Sequence, residues 1–290
     1  MHMNKTLSLF FLAMTLSISA WGWGRVGHAT VARVAENHLT KKAKQALATY
    51  LDGMPITAIA SDADYYICQW TLDLGFHPTN PDFARGKGWL KDFDFSTPTN
   101  IARYPHCIAV DNDCNALRTD NFDGKFFENC VIYIERLTKQ LKANAKGMDP
   151  KERHIAICEI VHLVGDMHCP MHIAYMDKEP KRGFFNVTVG TLKTTLHHYW
   201  DDELFKAIPW SFGDMAFFVD NASPKEIKAI AKGDVYDWAK AAAIDSWPSH
   251  NIEPNAQLSA LYPYEMRPLC YRQLRNAGYR LAALLNDIFK

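Results

Sequence analysis

The apolar residues of this chain recur mostly with the spacing of an α-helix. Between positions 127 and 141 they fall on one face of a predicted amphipathic helix, at Phe127, Cys130, Ile134, Leu137 and Leu141. Polar and charged residues fill most of the positions between them, so one face would meet a core and the other would meet water. Because similar patterns recur along the chain, the sequence predicts a mainly α fold.

Two further helices are predicted from local signals. Ser223 provides an N-cap, Pro224 suits the first turn, and Glu226 completes a capping box. These residues predict a helix that continues to about Ser246. A last helix, predicted over 271–289, has an apolar face that would dock on the core.

The alternation that is typical of a β-strand is clear in one segment. Phe185, Val187 and Val189 alternate with polar residues, and Gly190 follows, which predicts a small β-hairpin. The stretch 73–121 is rich in Pro, Gly, Asp and Asn and predicts long loops. No internal repeat or linker divides the sequence, so we expect a single helical domain that carries one hairpin.

The first residues have the composition of a secretory signal peptide. A short basic start precedes an apolar run over 7–18 and a stretch of small residues. The run is too short to be a stable membrane span, and no polar face interrupts it as in a buried helix. Cleavage after Ala20 or after Gly22 fits the small residues. The second choice gives a signal peptide of residues 1–22 and a mature domain of residues 23–290, which we expect to be secreted or periplasmic.

Charge and cysteine content argue against some classes of protein. The 32 basic residues balance 32 acidic ones, so the chain lacks the overall positive field of a tight nonspecific duplex binder. Any contact with nucleic acid would have to come from a local site. The seven cysteines include no CxxC pair, which argues against a thiolate zinc ribbon. Export would permit disulfides, but the sequence does not indicate which cysteines pair.

Two His–Asp pairs have the spacing of successive helical turns. His162 precedes Asp166 by four positions, as His197 precedes Asp201. Side chains at this spacing lie on one helix face, so each pair can reach one metal ion or two adjacent ions. The first pair lies in the apolar segment 160–172, where burying both groups is costly unless a cation neutralises them. Without a metal, this pair would be a histidine hydrogen-bonded to a buried carboxylate, and either pair could be a surface contact.

The start of the mature chain offers a third group of ligands. After cleavage before Trp23, the new amine and its carbonyl can chelate zinc, because an amine with a reference pKa of about 8 can lose its proton to a metal. His28 would complete this site, and a helix is predicted over 29–39. Without processing, Trp23 would be an apolar anchor.

The remaining histidines carry no comparable pattern. His168 and His198 are next to predicted ligands but would fall on other helix faces. His38, His154 and His250 have no partner at a helical spacing, so we expect ordinary surface or hydrogen-bonded histidines.

Five segments together indicate a family. They are 23–28 (WGRVGH), 59–64 (IASDAD), 162–172 (HLVGDMHCPMH), 196–201 (LHHYWD) and 278–282 (GYRLA). In composition and order they resemble the zinc-dependent single-strand nucleases and 3′-nucleotidases, which share a mainly α fold with bacterial zinc phospholipase C. The resemblance spans nearly the whole mature chain.

This resemblance implies a cluster of three zinc ions bound through nitrogen and oxygen atoms. Asp64 and Asp166 are the implied catalytic residues, the first orienting the nucleophile and the second bridging two ions. By position in the motifs, the first ion would bind Asp64, His106, His162 and Asp166, the second His172, His197 and Asp201, and the third the amine and carbonyl of Trp23 with His28 and the shared Asp166.

Three residues compete for one position at the first ion. The family's second histidine follows the Ala-Asp motif closely, which would favour His77, and Asp94 is a further contender. His106 is preferred because an aromatic residue precedes it and an apolar stretch and an aspartate follow it, as in the family. That choice requires a long insertion after Asp64.

The resemblance also implies an activity. Water activated between the first and third ions would attack phosphorus, and the second ion would stabilise the leaving 3′-oxygen. The implied substrates are single-stranded DNA and RNA, cut to 5′-phosphate products, and 3′-nucleotides. We expect a monomer without stable membrane association. Aromatic candidates for stacking an unpaired base are Tyr65, Tyr66, Trp70, Phe76 and Trp89.

Two departures from the family pattern concern the substrate. Lys181, Arg182 and Gly183 replace a Gly-Gly-Asn sequence whose asparagine contacts the base, and Ile67 replaces an arginine. Base preference and rate can therefore differ from those of the family.

Two rival hypotheses remain open. A phospholipase C-like zinc phosphodiesterase would act on lipid headgroups, and the apolar loop residues over 89–95 would be its membrane contact. A noncatalytic secreted zinc-binding protein would keep the ligands without the chemistry.

Overall fold

A computed structural model describes residues 23–67, 106–118, 121–122, 125–126, 129–176 and 183–290. The prediction of a mainly α fold is confirmed in this part of the chain. The helices are α1 (Gly24–Asn37), α2 (Lys41–Tyr50), α3 (Asp62–Ile67), α4 (Cys130–Asn144), α5 (Pro150–Asp166), α6 (Leu196–His198), α7 (Leu204–Lys206), α8 (Phe212–Val219), α9 (Pro224–Ile230), α10 (Val235–Ser246) and α11 (Tyr262–Ile288). The strands are β1 (Ile108–Val110), β2 (Asn121–Phe122), β3 (Lys125–Phe126), β4 (Ile173–Tyr175), β5 (Asn186–Val189), β6 (Leu192–Thr195) and β7 (Gln257–Leu258).

Helix α5 lies at the centre of the molecule. Asp149 caps its N-terminus by accepting hydrogen bonds from backbone N–H groups of the first turn, where Pro150 fits without losing a bond. Every residue from His154 to Asp166 is buried. A helix without a polar face must be surrounded by other elements, and α5 packs against α1, α3, α4 and α11.

Helix α1 begins earlier than the predicted range 29–39, so the prediction is wrong at this end and His28 lies inside the helix. Gly24 has a φ of 55°, and a Cβ there would clash with the backbone carbonyl of Asp201. Only glycine tolerates both the left-handed conformation and this contact. The start of α1 is therefore packed directly against the segment that carries Asp201.

The predicted helix from Ser223 to Ser246 is two helices, so this prediction is corrected. The capping box of Ser223 and Glu226 is present and starts α9. Gly233, with a φ of 93°, then ends the helical path, and the side chain of Asp234 caps α10. A left-handed glycine followed by a strong N-cap stops one helix and starts another.

The last helix also extends beyond its prediction. It begins at Tyr262 rather than at 271, with Pro263 in its first turn and Pro268 inside it. Proline is usually found in the first turn of a helix, whereas this helix continues through Pro268. The long helix that results packs against α1 and α5.

The predicted hairpin is confirmed as the antiparallel pair of β5 and β6, to which β7 adds a parallel strand. A second sheet was not predicted, because its strands are three residues long and show no alternation. In it β1 pairs parallel with β4, and Ile108 lies opposite Ile173. The pair matters for the site because His106 lies two residues before β1 and His172 directly precedes β4.

Six cysteines lie in the described part of the chain, and no two of them form a disulfide with each other. Cys68 lies outside the described residues. Within the described part, none of the helices combines the length and the apolar content that crossing a bilayer requires.

Candidate metal centre

The structure brings all nine predicted ligand residues to one buried region. These residues are between 0 and 3% exposed. They come from separate parts of the fold: the start of the domain (Trp23), α1 (His28), α3 (Asp64), the segment before β1 (His106), α5 (His162 and Asp166), the 3-10 turn before β4 (His172), α6 (His197) and the π turn that follows it (Asp201).

Asp166 lies at the middle of the cluster. Its Oδ2 accepts a hydrogen bond from Nδ1 of His106 at 2.6 Å and lies 3.1 Å from Nε2 of His162. Its Oδ1 lies 3.3 Å from Nε2 of His28 and 3.6 Å from Nδ1 of His172. One carboxylate therefore connects four histidines, two on each oxygen.

Asp64 borders the same group of histidines. Its Oδ1 lies 3.3 Å from Nε2 of His162 and 3.8 Å from Nδ1 of His106. The rings of His162 and His28 are stacked, with centroids 3.9 Å apart. His106 is thus part of the cluster, whereas its rivals His77 and Asp94 lie outside the described residues.

The second predicted group is built around Asp201. Its Oδ2 lies 3.2 Å from Nε2 of His197, and its Oδ1 lies 3.7 Å from Nε2 of His172. Asp201 belongs to a π turn, Tyr199–Glu203, rather than to a regular α-helix. The spacing of four positions still brings His197 and Asp201 together, and such turns are frequent at functional sites.

Backbone carbonyls orient two of the histidines. Nδ1 of His162 donates to the carbonyl of Ala60 at 2.9 Å, and Nδ1 of His172 donates to the carbonyl of His106 at 2.9 Å. Each bond fixes the ring tautomer and leaves Nε2 with a lone pair directed at the cluster. The second bond depends on the pairing of β1 with β4, which holds the two histidines side by side.

Trp23 is anchored beside these groups. Its Nε1–H donates to the carbonyl of Gly165 at 2.9 Å, and its ring packs edge-on against Trp200 and Phe205. A Cβ on Gly165 would lie 2.8 Å from Nδ1 of His28, so the glycine allows α1 to approach α5. Trp23, the predicted first residue of the mature domain, is therefore fixed close to the ligands of the predicted third ion.

Several buried polar atoms of the cluster have no hydrogen-bond partner among the described residues. They are both ring nitrogens of His28, both carboxylate oxygens of Asp64, Oδ1 of Asp166, Nε2 of His172 and Oδ2 of Asp201. Buried polar atoms without partners are costly, and carboxylates and imidazoles are the ligands that zinc accepts in proteins. The residues present therefore fit a group of divalent cations.

Burial opposes charge in the cluster, and neighbouring groups of opposite charge offset this at some positions. Burial raises the pKa of Asp201 well above its ordinary value and lowers the pKa of His172 to about 4. Burial opposes the charged form of His162, but the carboxylates of Asp166 and Asp64 raise its pKa well above the usual range. Asp166 is buried too, yet the neighbouring histidines hold its pKa well below normal. A bound cation would neutralise these carboxylates directly.

The histidines predicted to lie outside the cluster do so. His168 is buried, donates from Nδ1 to the carbonyl of Val164 and accepts a bond from Arg280 at 2.7 Å. His198 is exposed and lies near Glu203. His38 contacts Asp220.

The aromatic side chains predicted to stack a base lie outside the described part of the structure. Trp70, Phe76 and Trp89 lie outside the described residues, as do the side chains of Tyr65, Tyr66 and Ile67. The same holds for the apolar loop over 89–95 and for Lys181 and Arg182. Gly183 is described, and its carbonyl accepts a hydrogen bond from the backbone N–H of His197.

Sequence reasoning missed Phe184 and Cys169. The ring of Phe184 is 44% exposed and stacks on His197 with centroids 4.0 Å apart, at the edge of the cluster. The thiol of Cys169 is buried 3.7 Å from Oδ1 of Asp201. Burial and the nearby carboxylates raise the pKa of this thiol well above its usual value. Phe184 directly precedes the predicted strand, and Cys169 lies three positions from both Asp166 and His172, but only nitrogen and oxygen ligands were expected.

A mainly α fold that buries shared carboxylates and imidazoles in this way defines a metal-dependent hydrolase. The model of the S1/P1 nuclease family matches residues 23–290, so the chain belongs to the S1/P1 nuclease family. The resemblance found from the motifs is thereby confirmed. The protein is a zinc-dependent phosphodiesterase, and its substrates are nucleic acids.

Relatives of known name agree with this assignment. The chain is 24% identical to Endonuclease 4 of Arabidopsis thaliana, over 99% of this chain and 97% of that protein. It is 22% identical to Nuclease S1 of Aspergillus oryzae, over 99% of this chain and 98% of that protein. It is 21% identical to Endonuclease 2 of A. thaliana, over 92% and 91% of the two chains.

Proposed function

We propose that this protein is an exported endonuclease that binds three zinc ions, cuts single-stranded DNA and RNA to 5′-phosphate products and removes 3′-phosphates from nucleotides. The observation that carries the proposal is the position of Asp166, whose two oxygens each lie near two buried histidines. A shared carboxylate of this kind can hold two cations at a fixed spacing.

The contacts support the three predicted ligand groups. Asp64, His106, His162 and Asp166 approach one another within 3.8 Å through their nitrogen and oxygen atoms. His172 and His197 both lie near Asp201, and His28 lies near the other oxygen of Asp166. Three adjacent groups of nitrogen and oxygen donors suit three zinc ions, each with a position left for water or phosphate.

The third ion requires a processed chain. Removal of residues 1–22 would expose the amine of Trp23, and the packing of its ring beside Gly165 would hold this amine near His28. A deprotonated amine and the adjacent carbonyl can then complete the site. The same processing would place the mature domain, residues 23–290, outside the cytoplasm.

Zinc, when bound, lowers the pKa of water and neutralises the charge that develops on a phosphate during hydrolysis. The chain's own residues supply orientation. Asp64, whose carboxylate oxygens have no hydrogen-bond partner among the described residues, would orient the attacking water and accept its proton. Water then attacks phosphorus, the bond from phosphorus to the 3′-oxygen breaks, and that oxygen takes up a proton.

Phe184 supports a preference for single strands. Its exposed ring lies over His197 beside the cluster, where it can stack on an unpaired base. A base in a duplex would first have to unstack, which costs free energy. This cost of unstacking is the reason for the proposed preference for single strands.

One experiment tests the metal number and the activity together. The secreted protein is sequenced from its N-terminus, its zinc content is measured, and its activity is assayed on denatured DNA, RNA, a 3′-nucleotide and phosphatidylcholine. We expect Trp23 at the N-terminus, at least three zinc ions per chain, and chelator-sensitive cleavage of the first three substrates. Hydrolysis of phosphatidylcholine alone would contradict the proposal, as would a processed protein that holds zinc without hydrolysing any substrate.

A matched variant tests the role of the amine. A mature chain with one glycine added before Trp23 should lose one zinc ion, because its amine is displaced from the site. Unchanged zinc content in this variant would exclude the amine as a ligand.

A further inference from the structure

A second group of potential metal ligands lies beside α5, apart from the nine residues of the metal centre. The potential ligand atoms of Asp62, His154 and Cys158 all lie within 4.8 Å of one another. The three residues are 1%, 8% and 0% exposed. His154 was predicted to be an ordinary surface or hydrogen-bonded histidine, and the structure instead buries it next to a thiol and a carboxylate.

The position of this group follows from the periodicity of two helices. His154, Cys158, His162 and Asp166 recur at intervals of four along α5, so they form one stripe on the face that meets α3. At 1.5 Å of rise per residue, His154 lies about 12 Å along the helix from His162. An ion bound by His154 and Cys158 would therefore be separate from an ion bound by His162 and Asp166.

The imidazole of His154 provides independent evidence for a ligand. Its Nε2 is buried and has no hydrogen-bond partner in the part of the chain that the structure describes. A buried ring nitrogen is normally satisfied by a hydrogen bond or a metal ion. Burial also lowers the pKa of His154, which favours the neutral imidazole that binds metals.

The donor set indicates which ion would fit. A thiolate, an imidazole and a carboxylate form the mixed sulfur, nitrogen and oxygen set that zinc accepts, whereas magnesium and calcium prefer oxygen alone. We propose that Asp62, His154 and Cys158 bind one further zinc ion, with water as the fourth ligand, and that this ion ties α3 to α5. On binding, the thiol of Cys158 releases its proton to solvent and forms the sulfur–zinc bond.

Such an ion would act on the metal centre through the backbone. Asp62 is the first residue of α3, and Asp64 lies two residues further along the same helix. Fixing Asp62 against α5 would hold the carboxylate of Asp64 near His162. The ion is thus structural, and its residues are positioning residues rather than catalytic ones.

Zinc content measured against matched variants tests the proposal. The full mature protein and the variants His154→Gln, Cys158→Ser and Cys270→Ser are equilibrated with zinc and freed of unbound metal. We expect the first two variants to hold one zinc ion fewer than wild type and to lose part of their nuclease activity, because Asp64 is held less firmly. Cys270→Ser, which changes a buried thiol elsewhere in the core, should hold the wild-type amount. Equal zinc content in all four proteins would overturn the proposal.

A measurement on the unaltered chain covers the case in which these variants fail to fold. Wild-type protein is loaded with the NMR-active isotope of cadmium, and scalar coupling between cadmium and cysteine β-protons is recorded. Coupling to Cys158 is expected, because a coordinate bond transmits it. Absence of coupling to Cys158 in fully loaded protein would refute the site. Because this test follows one sulfur–metal bond, its failure would leave the proposed nuclease function unaffected.

Discussion

Individual side chains at the edge of the cluster determine what the centre can bind. The ring of Phe184 stacks on His197 and remains 44% exposed, so part of it is accessible to a substrate. Asp166, by contrast, is fully buried and contacts only other members of the cluster among the ion-pair partners described. We therefore expect substrate selectivity and metal binding to depend on different residues.

Replacing the stacking ring tests this division. Stacking of a base on an aromatic side chain contributes about 1–3 kcal/mol. Phe184→Ala should therefore lower kcat/KM on a single-stranded oligonucleotide about tenfold, a loss of about 1.4 kcal/mol. Zinc content should not change. The control is Phe217→Ala, which removes a ring that is 88% exposed on α8. An equal loss in both variants would show that Phe184 has no specific role.

A second residue-scale prediction concerns Asp220. Burial raises the pKa of this carboxylate, but hydrogen bonds donated by Asn37, His38 and Tyr279 outweigh it and hold the pKa below normal. The folded-state pKa is thus lower than the unfolded value of about 3.9. The ionised group therefore stabilises the fold above that value, and this contribution is lost as the pH falls through the folded-state pKa.

The Asp220→Ala variant should accordingly lose stability at neutral pH. We expect the free energy of unfolding to fall by about 2 kcal/mol at pH 7, because three donors lose a charged acceptor. The difference from wild type should shrink in acid, as urea unfolding at successive pH values would show. Asp113→Ala, at an exposed aspartate, is the control and should have little effect. A difference that stays constant down to the acid limit would contradict the assigned role.

At the scale of elements, the approach of α1 to α11 brings the start of the domain into place. Gly278 of α11 faces Val34 of α1, and a Cβ there would lie 2.5 Å from the Cβ of Val34. The segment 278–282 is one of the five segments that indicate the family. In the structure, its glycine allows α11 to pack close to α1. A closer approach of the two helices holds α1, and with it His28, against α5.

A glycine substitution in each of two helices separates packing from helix propensity. Gly278→Ala should lower the free energy of unfolding by about 1–3 kcal/mol, because it overpacks the interface between α1 and α11. Gly213→Ala in α8, where a Cβ would meet only the Ser211 hydroxyl at 3.6 Å, should raise stability by about 0.4–1 kcal/mol. Urea unfolding at neutral pH measures both. Opposite signs are expected, and stabilisation by both substitutions would mean that the interface has room.

At the scale of the whole molecule, the metal centre joins elements that are far apart in sequence. Its members come from α1, α3, α5, α6 and the segments beside β1 and β4, so bound ions would connect most of the core. The buried carboxylates and imidazoles have few other partners. Folding and metal binding are consequently expected to be coupled.

Metal removal should therefore destabilise the fold as well as abolish activity. Each ion that binds only the folded state contributes about 2.7 kcal/mol at a free concentration one hundred times its Kd. We expect the melting temperature to fall in chelator and to recover when zinc is restored, as followed by circular dichroism. Asp166→Asn, which removes the central charge, should show a much smaller response. Identical melting curves with and without zinc would exclude the coupling.

The amino-acid sequence by itself determined the class of fold, the family and the ligand types. Helical periodicity, the two His–Asp pairs and the alternation before Gly190 are local patterns, and local patterns survive in a linear sequence. Helix boundaries were harder to predict from the sequence. Gly233 and Asp234 divide the apolar pattern of α9 and α10, and Pro268 does not interrupt α11.

Only the tertiary structure decided which residues meet. His106 joins the cluster through the pairing of β1 with β4, a contact between short strands distant in sequence. Phe184 is a candidate for substrate contact because its ring stacks on His197. His154 is a candidate metal ligand because α3 brings Asp62 beside it. These contacts depend on packing between separate elements, and no periodicity within one element carries that information.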